Sequence, residues 1–127
     1  GHLVLRGGDG RPNYDTVSIS LAEEAMKKAK LTPNIVVDCS HANSYKKPEL
    51  QPLVMSDVIS QIVAGNRSIV GVMIESNLVA GNQAIQADHS KMIYGCSVTD
   101  GCVDWTSTEV MVRDAANRLR AVLASRG

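Results

Sequence analysis

The chain contains no phenylalanine, and aromatic residues make up only 3% of it. Its core must therefore be built from Val, Ile, Leu, Met and Ala, which suits β-branched strands packed against Ala-rich helices. With 44% hydrophobic and 20% charged residues over 127 positions, the composition is that of one ordinary folded domain and excludes a disordered segment.

An excess of either charge is also missing, since 13 Lys and Arg residues balance 13 Asp and Glu residues. The basic residues form no cluster, so the sequence lacks the electrostatic footprint of a nucleic-acid partner. No apolar run approaches the roughly 20 residues that span a bilayer. The first residues also lack the basic-then-apolar order of a signal peptide. We expect no nucleic-acid partner, no membrane association and a cytoplasmic location.

Cysteine spacings typical of disulfide frameworks or structural zinc sites are absent. Cys39, Cys96 and Cys102 are odd in number and form no CxxC pair. We therefore expect reduced thiols that fill space.

Strand-like and helix-like segments alternate along the chain. Strand-like runs begin at Leu3, Ile35 and Ile69, separated by about the length of one βα unit. Amphipathic helices are predicted over 20–30 and 53–64, and a third is predicted from Thr106. This alternation predicts an α/β fold with a parallel sheet covered by helices. Three strands leave two open edges, so we expect the sheet to be incomplete on its own.

Local signals within these segments give finer predictions. Ser20 with Glu23, and Thr106 with Glu109, have the spacing of capping boxes, and Trp105 has the position of a hydrophobic staple. Residues 76–104 are too long for an ordinary connection and are predicted to form an irregular functional loop.

Three possible metal ligands, His41, Glu75 and Asp100, lie at or beyond the ends of predicted strands. Parallel α/β proteins place their chemistry at the carboxyl ends of strands. Strand alternation puts Val37, Cys39 and His41 on one side of the sheet, which predicts that His41 and Glu75 meet above it. An imidazole with carboxylates suits Mn, Fe, Co or Zn better than Ca. The simpler alternative is a hydrogen-bonded structural histidine near solvated carboxylates.

Arg6 ends the first predicted strand and is followed by Gly7 and Gly8. A guanidinium there can bind a phosphate or carboxylate through two parallel hydrogen bonds, and the glycines let the backbone approach the ligand. The alternative is a surface arginine beside a turn.

Four groups of residues together resemble the class I 3-deoxy-D-arabino-heptulosonate 7-phosphate (DAHP) synthases, and the resemblance covers essentially the whole chain. These groups are Leu5-Arg6-Gly7-Gly8 with Pro12-Asn13-Tyr14; Asp38-Cys39-Ser40-His41-Ala42-Asn43-Ser44; Gly71-Val72-Met73-Ile74-Glu75-Ser76-Asn77-Leu78 with Gly81-Asn82-Gln83; and Tyr94-Gly95 with Ser97-Val98-Thr99-Asp100.

The resemblance implies a (β/α)8, or TIM, barrel. Residues 1–127 would be its last three βα units, the C-terminal portion of one domain, with no second domain. It also implies an enzyme of the shikimate pathway, which makes aromatic amino acids. This transferase condenses phosphoenolpyruvate with erythrose 4-phosphate in an aldol-like reaction and releases phosphate.

In this resemblance His41, Glu75 and Asp100 fall on the ligands of a divalent metal, and His41 is the catalytic candidate. Arg6 falls on a basic residue that holds phosphoenolpyruvate. The family's fourth ligand, a cysteine, and its Lys-Pro-Arg motif have no counterpart here. We therefore expect the isolated chain to be inactive and the full-length parent to be a homo-oligomer, either a dimer or a tetramer.

Two other interpretations stay open at this stage. The chain could be a non-catalytic module that binds metal or associates with itself through its open strand edges. It could also belong to a related phosphoenolpyruvate-using sugar acid synthase, although the Ser-His-Ala-Asn-Ser and Gly-Asn-Gln blocks together disfavour this.

Overall fold

A three-stranded parallel sheet forms the centre of the chain in the computed structural model, which describes residues 1–126. Its strands are β1 (Leu3–Leu5), β2 (Ile35–Asp38) and β3 (Ile69–Met73), in the order β1-β2-β3. Both strand pairs are parallel, which confirms the predicted parallel α/β architecture. β1 and β3 are open edges of this sheet within the described part of the chain.

Three helices pack against the sheet: α1 (Thr16–Lys28), α2 (Gln51–Val63) and α3 (Trp105–Ala124). The apolar residues between sheet and helices are aliphatic or sulfur-containing, as the composition predicts; the buried core consists of Ile19, Ile35, Val37, Cys39, Val54, Met55, Val58, Ile59, Ile62, Ile69, Val103, Met111 and Ala115. Val4 and Met73, which stand at alternate strand positions outside this core, are 39% and 47% exposed. Part of the sheet surface is thus left uncovered by residues 1–126.

The helix starts differ from the predicted ones. α1 begins at Thr16 because the Asp15 side chain accepts a hydrogen bond from the Ser18 backbone N–H, so the predicted Ser20 capping box is wrong. α3 begins at Trp105 because Asp104 caps it in the same way. In both cases an aspartate upstream of the Ser/Thr-x-x-Glu pattern satisfies the free N–H groups first.

Side-chain burial corrects two further details of these helices. The three-and-four spacing of apolar residues over 20–30 predicts that Leu21 lies on the buried face of α1, but Leu21 is 62% exposed. Trp105 and Val110 are the two residues whose spacing predicts a hydrophobic staple. Both are largely exposed, which excludes this contact. In α2, by contrast, the apolar face that the same spacing predicts is entirely buried, namely Val54, Met55, Val58, Ile59 and Ile62.

Residues 76–104 contain more regular structure than predicted. β4 (Val79–Asn82) pairs in parallel with β5 (Cys96–Ser97), and Gly81 forms a bridge with Cys102. The segment is therefore a small two-stranded lobe at the carboxyl end of β3. None of the helices in residues 1–126 has the length and apolar character needed to cross a membrane.

The Asp15 cap gives a prediction for stability. Hydrogen bonds from the Ser18 side chain and backbone lower the pKa of Asp15 below its usual value. A lowered folded-state pKa means that the carboxylate stabilises the fold above the unfolded-state pKa, and that this contribution disappears as the pH falls through the folded-state pKa. We expect Asp15→Ala to lower the free energy of unfolding at pH 7 by about 1 kcal/mol.

Urea denaturation followed by circular dichroism at pH 7 and pH 3 would measure this effect. The difference between wild type and Asp15→Ala should shrink at pH 3. Asp15→Asn is the matched control, because asparagine caps helices well and does not titrate. Equal stability of wild type and Asp15→Ala at pH 7 would show that the cap is energetically unimportant.

Candidate metal centre

The side chains of His41, Glu75 and Asp100 converge at the carboxyl ends of β2 and β3, next to the lobe. Nε2 of His41 lies 3.7 Å from Oε1 of Glu75 and 3.5 Å from Oδ2 of Asp100. One ligand atom from each residue lies within 4.8 Å of the others. These separations exceed ordinary hydrogen-bond lengths. They are close to the separation of about 3 to 3.6 Å between atoms that share one cation at 2.0–2.2 Å.

His41 reaches this position by leaving the strand. β2 ends at Asp38, and a short 3₁₀ helix spans His41–Ser44 with a φ of +53° at His41. Val37 and Cys39 are fully buried in the core, so the prediction that strand alternation places His41 beside them is wrong. The predicted meeting of His41 with Glu75 is confirmed, but a turn rather than an extended strand produces it.

Asp38 determines which ring nitrogen of His41 faces the two other candidate ligands. Its Oδ2 lies 2.7 Å from Nδ1 of His41, and its Oδ1 accepts hydrogen bonds from the backbone N–H and the hydroxyl of Ser40. Because an ionised carboxylate can only accept, Nδ1 is the ring nitrogen that carries a hydrogen here, which leaves Nε2 as the nitrogen that can offer a lone pair to a metal ion. Nε2 faces Glu75 and Asp100, and a carboxylate behind the other ring nitrogen is the usual arrangement of metal-binding histidines.

The residues on either side of Asp100 in the chain are each fixed by a contact. In the lobe, the Asn82 side chain donates a hydrogen bond of 2.9 Å to the carbonyl of Thr99. On the other side Gly101 packs against Pro48, and a Cβ at Gly101 would lie 3.2 Å from the Pro48 ring. These contacts place Asp100 between the lobe and the segment that follows His41.

Two carboxylates beside one imidazole form a group whose negative charge suits a divalent cation. The three side chains are 19%, 29% and 50% exposed for His41, Glu75 and Asp100, so the group is open to an ion on one side. A nitrogen ligand with two carboxylate oxygens matches Mn, Fe, Co or Zn. The residues present therefore fit the predicted metal; a small pocket around them is lined by His41, Ser44, Lys46, Glu75, Asp100 and Gly101.

Arg6 lies at the carboxyl end of β1 and is exposed. No hydrogen bond or ion pair within residues 1–126 holds its guanidinium, which leaves it available to an anion from outside this part of the chain. The following Gly7 has a φ of +77°, and a Cβ there would lie 2.6 Å from Cβ of Ala42. Only glycine lets this loop lie so close to the turn that carries His41.

Asn43 links the Arg6 loop to the His41 turn. Its buried side chain donates hydrogen bonds to the carbonyls of Leu5 (3.1 Å) and Asp38 (2.8 Å). Its Oδ1 accepts from the backbone N–H of Asn13, whose own side chain accepts from Gly7. The chain segments that carry the candidate anion contact and the candidate metal ligand are therefore fixed to each other.

Sequence reasoning overlooked Asp38, Asn43 and Gln51, the polar residues that position this group. Asn43 lies in a polar stretch that is typical of a solvated loop, and Gln51 lies just before the helix predicted over 53–64. Both are 2% exposed or less, and such burial of a polar side chain cannot be recognised without the fold. Lys46, whose place in a polar loop predicts a solvated side chain, is exposed but lines the pocket.

The cysteines match the expectation of space-filling thiols. All three are free. Burial, followed by the neighbouring charge of Asp38, raises the pKa of Cys39 to about 12, so this thiol stays protonated at neutral pH. Burial also raises the pKa of Cys102.

Fold and site together define a class: a parallel α/β protein with a candidate metal-binding group of one imidazole and two carboxylates at the carboxyl ends of its strands. Comparison with known proteins specifies it further. The sequence profile of the DAHP synthetase I family matches residues 1–113. The chain belongs to this family.

Individual relatives agree with this assignment. The Tyr-sensitive phospho-2-dehydro-3-deoxyheptonate aldolase of Escherichia coli K12 is 45% identical over 126 residues, which are 99% of this chain and 35% of that protein. The Phe-sensitive enzyme of the same organism is 41% identical over 120 residues, or 94% of this chain and 34% of its own.

Solved structures lead to the same family. The phospho-2-dehydro-3-deoxyheptonate aldolase of Francisella tularensis SCHU S4 superimposes with a TM-score of 0.88 at 42% identity, over 94% of this chain and 34% of that one. The chain thus spans about one third of the length of these relatives.

Proposed function

We propose that this chain is the C-terminal portion of a class I DAHP synthase and supplies that enzyme with three metal ligands and one substrate contact. The observation that supports this most directly is the convergence of His41, Glu75 and Asp100. They come from three separate sequence blocks, and their ligand atoms lie within 4.8 Å of one another. Membership of the family supplies the chemical context.

The proposed architecture is the last three βα units of one (β/α)8 barrel, with residues 1–127 forming part of that single domain. The three-stranded parallel sheet supports it, because β1 and β3 are open edges within residues 1–126. The partly exposed Val4 and Met73 also need further structure to cover them. Closing the sheet into a barrel would pair both edges and bury these side chains.

In the proposed reaction the parent condenses phosphoenolpyruvate with erythrose 4-phosphate, giving DAHP and phosphate. His41, Glu75 and Asp100 would hold a divalent metal, with a fourth ligand from outside this chain. That metal would supply Lewis-acid chemistry to the aldehyde of erythrose 4-phosphate. The proposed metal is Mn, Fe, Co or Zn.

Other residues of the chain position these groups. Asp38 keeps the proton of His41 on Nδ1, so that Nε2 stays free to bind. Arg6 binds phosphoenolpyruvate and fixes its orientation by charge-assisted hydrogen bonds. Asn43 holds the Arg6 loop and the His41 turn in one arrangement, so that the two substrates meet in a fixed geometry. The parent is proposed to act in the cytoplasm as a homo-oligomer.

The test is an activity assay of the full-length gene product. Phosphate release and DAHP formation are measured with both substrates, after treatment with a chelator and after addition of each of the four metals. We expect activity that the chelator abolishes and a divalent metal restores, whereas residues 1–127 alone should be inactive. Absence of turnover by the full-length product with every metal would contradict the proposal.

A further inference from the structure

Gln51, the first residue of α2, is fully buried and makes two hydrogen bonds to one residue. Its Oε1 accepts from the backbone N–H of Glu75 at 3.0 Å, and its Nε2 donates to the carbonyl oxygen of Glu75 at 3.1 Å. A side-chain amide thus pairs with both backbone groups of one candidate metal ligand. The family resemblance assigns no role to this glutamine.

The two hydrogen bonds of Gln51 take the place of those that a neighbouring strand would make to Glu75. β2 and β3 stay together as far as the hydrogen bond from the Cys39 N–H to the Met73 carbonyl. β2 then turns away into the His41–Ser44 helix, and Glu75 continues beyond the last paired residue without a neighbouring strand on that side. A primary amide offers the donor and the acceptor that a peptide group would offer. Gln51 therefore extends the pairing of β3 as far as Glu75.

The helix that carries Gln51 is firmly packed in the core. α2 is anchored in the core by Val54, Met55 and Val58, all 5% exposed or less. On its other side the Glu75 carbonyl accepts a second hydrogen bond, from the Val103 N–H at 3.0 Å. The backbone of Glu75 is thus held between α2 and the segment that leads into α3.

We propose that Gln51 is a positioning residue of the metal centre, which holds the backbone of Glu75 so that its carboxylate faces Nε2 of His41. The inference rests on the proposed function, since it concerns the same metal. Residues that orient metal ligands affect metal affinity by about 10- to 100-fold. A purely structural glutamine would affect folding stability but leave the metal affinity of the folded protein unchanged.

The experiment compares Gln51→Met, Gln51→Asn and Gln61→Met in the full-length protein. Methionine keeps the length of the side chain but removes both hydrogen bonds; asparagine keeps the amide but is one methylene too short to reach Glu75. Gln61 is the matched control, because it also lies on α2 and donates to the carbonyl of Tyr14, away from the metal ligands. Co²⁺ affinity is measured by competition with a chromophoric chelator, and thermal unfolding of the metal-free protein is measured in parallel.

We expect the Co²⁺ dissociation constant to rise about 10- to 100-fold in both Gln51 variants and to stay unchanged in Gln61→Met. Wild-type affinity in a folded Gln51 variant would overturn the inference. So would failure of both variants to fold, which would assign Gln51 to folding rather than to positioning. If wild type itself binds no Co²⁺, the proposed metal centre is wrong, and this outcome is separate from the other two.

Discussion

Replacement of His41 by alanine is expected to abolish the proposed metal binding and to lower the proposed DAHP synthase turnover of the full-length protein by about 10³-fold or more. Lewis-acid stabilisation of developing charge contributes several kcal/mol, and about 1.4 kcal/mol corresponds to one factor of ten in rate. His41 is central to the group because its Nε2 is the atom that faces both carboxylates. Metal content by elemental analysis and kcat at saturating substrate measure the two effects.

His89→Ala is the matched control, because His89 is exposed and starts a short 3₁₀ helix in the lobe rather than joining the ligand group. Its metal content and kcat should equal those of wild type. If His41→Ala keeps full metal content, the assignment of His41 as a ligand is wrong. Circular dichroism of both variants checks that they are folded.

A second large effect is expected for Asp38→Asn, with a rise of about 10- to 100-fold in the metal dissociation constant. The carboxylate of Asp38 holds the hydrogen of His41 on Nδ1 at a distance of 2.7 Å. An asparagine amide can turn its NH₂ group toward Nδ1, which would move the lone pair to Nδ1 and the hydrogen to Nε2. Nε2 would then point a hydrogen at the metal position.

Titration of the metal-free protein with Co²⁺ measures the affinity, and Asp88→Asn serves as the control. Asp88 is an exposed aspartate of the lobe that caps the 3₁₀ helix His89–Lys91, a role asparagine can also fill. Because Asp38 is 2% exposed, the unfolding temperature of the metal-free variant must be measured as well. Wild-type affinity in a folded Asp38→Asn protein would exclude this role for Asp38.

These predictions converge on one segment, residues 41–51. His41 begins it, Pro48 contacts the glycine after Asp100, and Gln51 holds the backbone of Glu75. All three candidate ligands are therefore positioned relative to the connection between β2 and α2. Substitutions in this connection should disturb the metal centre more than substitutions of equal size in the connection between α1 and β2.

Much of the fold could be predicted from local patterns. The apolar runs at Leu3, Ile35 and Ile69 all form strands of one parallel sheet, because near-continuous β-branched runs suit a sheet that helices cover. The apolar face of α2 could also be predicted, because its apolar residues recur with the strong periodicity of a helix. The starts of α1 and α3 were predicted wrongly, since several residues near each start can cap a helix and the sequence pattern does not rank them.

The sequence by itself determined the identity of the candidate ligands, the family and the parallel arrangement of the strands. These depend on residue types and on regular spacing, which a linear chain displays directly. The ligand roles of His41, Glu75 and Asp100, and the binding role of Arg6, remain predictions that the experiments above test.

Only the tertiary structure decided how the ligands meet. The positive φ of His41 turns its side chain toward the other two candidate ligands. Hydrogen bonds then hold the group together, between Asp38 and the His41 ring and between the Gln51 amide and the backbone of Glu75, 24 positions further along the chain. Hydrogen bonds of this kind leave no periodic trace in the sequence, because the cost of burying each polar group is offset by a partner that only folding brings close.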